Sequence, residues 1–455
     1  MPERAHGNNP PTRRVGFWQA FRFWLKLGCI SFGGPAGQIA IMHQELVERR
    51  RWISERRFLH ALNYCMLLPG PEAQQLSIYL GWLLHRAWGG ISAGLLFILP
   101  SFLLLLLLSW VYLGFGELSW IAGLFYGIKP AVTAVVLQAV RRIGSRVLIN
   151  PWLWSIAGCA FMGIFFLKLP FPLIIGLAAA AGFLGGRLNP GKFTPRPAHP
   201  PAAAKTNAEP GYANGDAFID DIARLPHTQF RWSRLIGIVL SGLALWLVPM
   251  LGLAWRFGWS HPLTQMATFF SKAALLTFGG AYAVLPYVYQ GAVETYHWLT
   301  PQQMLDGLAL GETTPGPLIM VVSFVGFVAG WTQNALGPEH ATQAAVAAAC
   351  VVTYFSFLPG FLFILAGGPL VESSLGNLNV TAPLTGVTAA VVGVILNLAL
   401  FFAWHVFWPQ GFEHGCDGLA LGIGCAALYA LMFCNIGVIP VIISCGLSGV
   451  LLSLR

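Results

Sequence analysis

Phe23-Trp24-Leu25-Lys26-Leu27-Gly28-Cys29-Ile30-Ser31-Phe32-Gly33-Gly34 is answered, without a gap, by Phe269-Phe270-Ser271-Lys272-Ala273-Ala274-Leu275-Leu276-Thr277-Phe278-Gly279-Gly280. The offset is 246 residues (272 − 26). It also carries Trp52 onto Trp298, Pro69-Gly70-Pro71 onto Pro315-Gly316-Pro317, and Gln19, Gln44 and Glu48 onto Gln265, Gln290 and Glu294. Weaker echoes follow at a larger offset: Leu99-Pro100 with Leu358-Pro359, and Val132-Thr133-Ala134 with Val387-Thr388-Ala389. Loop lengths therefore differ while segment order is kept. Two halves sharing one pattern, each with Gly/Pro breaks inside apolar segments, suit a secondary transporter whose site lies between the repeats on the ends of broken helices.

Composition sets the environment. Of 455 residues, 56% are hydrophobic and only 9% charged, against about 25% charged in an ordinary soluble chain. Mean hydropathy is +0.66. Apolar runs such as Ile91 to Leu113 and Leu235 to Leu253 reach the roughly 20 residues that a membrane span needs. The expected fold is an all-α polytopic membrane protein. The net charge of +9 fits Arg-rich cytoplasmic loops rather than nucleic-acid binding, for which no aromatic-basic motif exists. The eight cysteines are scattered, mostly in apolar stretches and without CxxC spacing, and read as small buried residues. Residues 1–16 are polar and the first apolar run carries Lys26, so no cleavable signal peptide is expected.

About thirteen membrane segments are predicted. They are 17–40, 59–84, 90–113, 119–140, 151–168 and 171–187, then 233–254, 265–288, 305–330, 341–367, 383–407, 418–434 and 437–453. The chain divides into an N-terminus (1–16), a first repeat (17–187), a Pro-rich polar linker (188–231) and a second repeat (232–455). The loop Glu48-Arg49-Arg50-Arg51-Trp52-Ile53-Ser54-Glu55-Arg56-Arg57 carries five arginines, and its counterpart from Glu294 to Gln303 carries none. The positive-inside rule then places the two loops on opposite sides, the charge signature of inverted-topology repeats. Arg4, Arg13 and Arg14 also look cytoplasmic, although one apolar segment separates them from the Arg-rich loop. Re-entrant segments at 17–40 and 59–84 would reconcile the two.

Chemistry is expected at the breaks. Lys26-x4-Ser31-Phe32-Gly33-Gly34 and Lys272-x4-Thr277-Phe278-Gly279-Gly280 interrupt a helix and free backbone N–H groups, which inside a membrane must find partners in protein, cavity or ligand. A helix starting there aims its positive end at the gap and favours an anion. Pro69-Gly70-Pro71, and Thr314 with Pro315-Gly316-Pro317, cannot continue a helix, since two donors are missing and each proline restrains the residue before it. Lys26 and Lys272 must face a cavity, pair or snorkel. Glu72 and Glu312 flank the Pro-Gly-Pro breaks as gating or coupling candidates, and Lys129 is a third candidate ligand without a repeat mate. No Walker, Rossmann or HExxH motif occurs, and isolated histidines such as His43, His60, His85 and His297 form no ligand pair. Neither a cofactor nor a metal is expected.

The stretches Leu27 to Pro35, Val47 to Trp52 and Leu67 to Pro71, with Leu276 to Gly280, Trp298 to Thr300 and Thr313 to Pro317, resemble the two-domain members of the chromate ion transporter family. The resemblance runs from about residue 17 to the C-terminus, the linker excepted; Cys29 and Ile30 vary the family's Gly-x-x-Ser-Phe-Gly-Gly pattern. It implies efflux of chromate across a bacterial inner membrane, chromate resistance, and opposite orientations of the two halves. The resulting expectation is a chromate exporter driven by membrane potential or proton motive force. Transport of sulfate or another oxyanion, channel-like conduction, and a membrane-bound chromate-modifying enzyme are the alternatives. The expected partners are chromate or a related oxyanion and membrane lipid. A homodimer is carried as a working expectation and nucleic acid is not.

Overall fold

The computed structural model describes residues 15–32, 34–116, 118–189, 230–278, 280–373, 381–411, 413, 415–434 and 436–454. Gly33, Gly279, nearly all of the N-terminal segment and most of the linker lie outside them. The described residues are almost entirely helical. In chain order the α-helices are α1 (Phe17–Ile30), α2 (Gly34–His43), α3 (Glu55–Leu67), α4 (Glu72–Phe115), α5 (Ser119–Val147), α6 (Pro151–Phe165), α7 (Phe171–Leu188) and α8 (Trp232–Phe257). They continue with α9 (Pro262–Leu276), α10 (Ala281–Tyr289), α11 (Pro301–Thr313), α12 (Val321–Thr332), α13 (Ala341–Ser373), α14 (Thr381–Phe407), α15 (Gly418–Met432) and α16 (Val438–Ser453). Six of them, α4, α5, α7, α8, α13 and α14, are long and apolar enough to cross a membrane. Leu103, Leu107, Leu240, Val248 and Trp255 are exposed on such helices, as lipid-facing side chains are. The protein is a multi-pass membrane protein.

α4 is a hairpin. His85 (φ −137°) and Arg86 (φ 56°, ψ −153°) leave the helical region, and the arm 72–84 folds back on the arm 87–115. A Cβ on Gly90 would lie 3.0 Å from the Ile78 carbonyl oxygen. The first arm, at 1.5 Å per residue, is about 20 Å long and too short to cross the bilayer. α12 and α13 repeat the arrangement around Asn334 (φ 47°) and Gly337 (φ 92°), with Gly326 against the Ala348 carbonyl.

The sequence repeat is a backbone repeat, residue for residue. A single π-helical turn follows α2 at Gln44–Arg49 and α10 at Gln290–Thr295. Arg51 and His297, at the same offset, have φ of 51° and 52°. Trp52 N–H donates to Leu46 O at 2.8 Å and Trp298 N–H to Ala292 O at 2.7 Å. Ser54 and Thr300 cap the helices that follow. Even side-chain stacking is kept with the chemistry exchanged. The Arg50 guanidinium lies 5.1 Å from the rings of Phe23 and Trp52, while Tyr296 packs 5.8 Å from Phe269 and 4.5 Å from Trp298. A cation–π contact in one loop is an aromatic stack in the other.

Small residues bring the remaining helices together, since association within lipid depends on close backbone approach. Gly123 and Gly127 of α5 pack on Gly449 and Cys445 of α16, and Gly182 of α7 packs on Gly386 of α14.

Candidate functional site

The breaks have defined geometry. α1 ends where Ser31 adopts φ −80°, ψ 80°, and α9 ends where Thr277 adopts φ −79°, ψ 83°. These values are near those of an inverse γ-turn, and in each case the following Phe N–H donates two residues back, Phe32 to Ile30 O and Phe278 to Leu276 O, at 3.0 Å. Gly34 and Gly280 then take φ of 73° and 95°, where glycine is favoured. At the other breaks Leu68 and Thr314 are extended (ψ 149° and 147°), as residues before proline are. Gly70 and Gly316 follow with φ of 128° and 101°.

Each Pro-Gly-Pro break is clasped by the other repeat. Gly70 N–H donates to Thr277 O, and Gly316 N–H donates to Ser31 O, both at 2.7 Å. Backbone groups freed by the breaks thus find partners across the repeats, as a water-free interior demands. We call these the Ser31 crossing and the Thr277 crossing.

Their linings differ. At the Ser31 crossing, fully buried Gln38 donates from Nε2 to Gly316 O at 2.6 Å and Ser31 O at 3.4 Å. Ser101 stands beside Gly316, on which a Cβ would lie 2.7 Å from the serine Cβ. The hydroxyls of Ser31 and Ser101 are buried and make no hydrogen bond. At the Thr277 crossing the Thr277 hydroxyl bonds back to Ala273 O at 2.7 Å. Gln75 Nε2 donates to Pro69 O at 2.7 Å. Glu72 Oε1 lies 3.8 Å from the position a Cβ on Gly280 would occupy. Two residues beyond Gly280, Tyr282 Oη donates to Glu312 Oε1 at 2.6 Å. Both sequence-predicted carboxylates therefore gather around the start of α10.

The lysines stand elsewhere. Lys26 and Lys272 are exposed, on helix faces opposite buried Phe23, Trp24 and Leu27, and Phe269, Phe270 and Ala273. Lys129 Nζ lies 3.2 Å from Asp306 Oδ1, and Tyr112 Oη donates to Asp306 Oδ2 at 2.9 Å. This group joins α4, α5 and α11, and so links the two repeats through a charge pair with the carboxylate buried. Phe32 and Phe278 are half-buried beside their crossings, as is Pro69, while Pro71, Thr314, Pro315 and Pro317 are buried. Sequence reading missed Gln38, Ser101, Tyr112, Tyr282 and Asp306. Asp306 had a signal, being an acid at the start of an apolar segment. Among the described residues no group of three His, Cys, Asp or Glu side chains could hold a metal ion.

Comparison with known proteins now bears on this geometry. The chromate transporter family model matches residues 18–183 and 264–450, on either side of the linker. A chromate transport protein of Pseudomonas aeruginosa is 35% identical over 452 residues, covering 97% of this chain and 93% of its own. One from Cupriavidus metallidurans is 29% identical, covering 85% and 82% respectively. A probable chromate transport protein of Synechococcus elongatus is 30% identical, covering 83% and 82%. No solved structure matches.

Proposed function

Since this chain belongs to the chromate transporter family, and is accordingly a transport protein and not an enzyme, we propose that it is a secondary transporter exporting chromate from the cytoplasm and conferring resistance. The observation that carries this reading is the pair of crossings. Four breaks, two from each repeat, meet as Gly70 with Thr277 and Gly316 with Ser31, so the repeats join where their helices are discontinuous, as substrate sites of repeat-built transporters are. The opposed charge of the loops after α2 and α10 supports inversion of the repeats, and with it a thirteen-segment topology with the Arg-rich loop in the cytoplasm of an inner membrane.

In this reading Gly34 and Gly280 keep open the path that the oxyanion takes. A Cβ on Gly34 would meet nothing within 4 Å, and one on Gly280 only Glu72. The helix starting at each glycine directs its positive end to that space. Lys26 and Lys272 draw the anion to the mouths of the path. Glu72 and Glu312 gate it or carry a coupled proton, and Lys129, held by Asp306, braces the repeats. Membrane potential suffices as a drive: about 2.3 kcal/mol per charge per 100 mV favours exit of an anion, or roughly 4.6 for a dianion.

The test is chromate flux into everted vesicles, with and without a potential and with sulfate as competitor. Potential-dependent uptake, without reduction of chromium and only partly blocked by sulfate, is expected. Sulfate flux without chromate flux would keep the site and overturn the substrate.

A further inference from the structure

The first arm of α4 carries polar atoms that neither crossing uses. Gln74 is fully buried, and neither its Nε2 nor its Oε1 makes a hydrogen bond. Gln75 is fully buried too, with Oε1 unpartnered. Both face α13 where Pro359-Gly360 interrupts its pattern: Gln74 Oε1 lies 3.2 Å, and Gln75 Nε2 3.7 Å, from the position of a Cβ on Gly360. One turn earlier on that helix face, Ser356 Oγ is buried and also unpartnered. Ser31 and Ser101 share this state, whereas Ser109 and Ser271 bond back to the carbonyls of Leu105 and Ala267.

These groups stand at a helix start. The arm begins at Glu72 behind Pro71, with no side-chain cap, and its first N–H groups have no acceptor within the helix. Gln74 is the third residue of this arm, so its carboxamide belongs to the same turn as those donors. Glu72 directs its carboxylate toward Gly280. A buried carboxamide without partners is costly in a water-free interior and is retained where a ligand completes it.

The second repeat lacks this arrangement. At the equivalent positions Gln74 and Gln75 are replaced by Met320 and Val321, and Ser356 by Phe97. We infer that the protein has one oxyanion site, not two symmetric ones, formed by the first-turn N–H groups of α4, Gln74 Nε2 and Ser356 Oγ. This refines the transport reading above and rests on it. All the donors are neutral. They can replace the hydration shell of a tetrahedral dianion without supplying a fixed counter-charge that would hold it too long, which conduction requires.

The experiment is calorimetric titration of purified full-length protein with chromate and, separately, with sulfate, on wild type, Gln74→Met, Gln74→Glu and Met320→Gln. Wild type and Met320→Gln are expected to bind alike. Gln74→Met should weaken binding about tenfold or more, the loss of one hydrogen bond to a charged ligand, while its thermal midpoint stays level or rises because two unpartnered polar atoms are gone. Gln74→Glu should abolish binding; if it does not fold, Gln74→Met carries the test alone. Unchanged affinity in both Gln74 variants overturns the site. Wild-type binding of sulfate but not chromate, lost in Gln74→Met, upholds the site and overturns the substrate of the transport reading. A wild type that binds neither ion overturns both.

Discussion

The two crossings share a backbone and differ in what lines it. Gly316 against Ser31 and Gly70 against Thr277 are joined by hydrogen bonds of the same length between residues with matching dihedral angles. Yet the Ser31 crossing is surrounded by the neutral groups of Gln38, Ser31 and Ser101, while Glu72, Tyr282 and Glu312 gather at the other. Symmetry is held where the chain must turn inside the membrane, because only Gly and Pro satisfy those turns. It is lost in the side chains that line those turns.

The comparison breaks most sharply at the two clasped glycines. In Gly316→Ala the Cβ would lie 2.7 Å from the Cβ of Ser101, which cannot swing aside; in Gly70→Ala it would meet the Gln75 carboxamide, which can. Both variants suffer backbone strain of about 1–3 kcal/mol. Gly316→Ala adds overpacking of about 1–3 kcal/mol, and Gly70→Ala adds at most the hydrogen bond from Gln75 to Pro69, about 1 kcal/mol. Thermal midpoints in detergent should therefore fall further for Gly316→Ala, and Ser101→Gly should restore part of the loss there alone. Equal losses would mean that the crossings are mechanically alike.

The next largest effect separates bulk from strain at the open glycine. Gly34→Ala and Gly34→Leu bear the same left-handed penalty, about 1–2 kcal/mol, and the site has room for either, with nothing within 4 Å of a Cβ. Both should insert with similar thermal midpoints. Transport should persist in Gly34→Ala and vanish in Gly34→Leu, whose side chain fills the space ahead of α2. Chromate flux at the wild-type level in Gly34→Leu would remove this crossing from the path.

What could be read from sequence follows the same division. The breaks were legible, because the paired glycines of Ser31-Phe32-Gly33-Gly34 disfavour a helix, Pro69-Gly70-Pro71 cannot continue one, and both recur at one offset. Their partners were not. Gly70 and Thr277 are separated by six helices, α4 to α9, and nothing local in either stretch names the other. Lys26 shows the intermediate case: Phe23, Trp24 and Leu27 form the buried face of α1, and that spacing already turned the lysine away from it. Lys129 was visible as a cation within an apolar segment, but its grouping with Asp306 and Tyr112 depends on three helices meeting. Gln74 lay in plain view after the first Pro-Gly-Pro, and a polar residue has no meaning there until its lack of partners is known.

The smallest effect tests the acidic side of the comparison. Tyr282→Phe removes the donor to Glu312 and leaves a half-buried carboxylate unpartnered, at about 1–3 kcal/mol, whereas in Glu312→Gln the tyrosine can still donate to an amide oxygen and the loss should stay below about 1 kcal/mol. Thermal stability should thus rank Glu312→Gln above Tyr282→Phe. Coupling should rank them in the opposite order: with its carboxylate gone, Glu312→Gln should transport chromate without response to an imposed pH gradient, while Tyr282→Phe should still respond. The mates of these residues in the first repeat are Ala36 and Met66, which cannot carry a proton, so no repeat mate can stand in for Glu312. Flux in Glu312→Gln that follows the pH gradient as wild type does would leave the carboxylate a structural role and assign any coupling to Glu72.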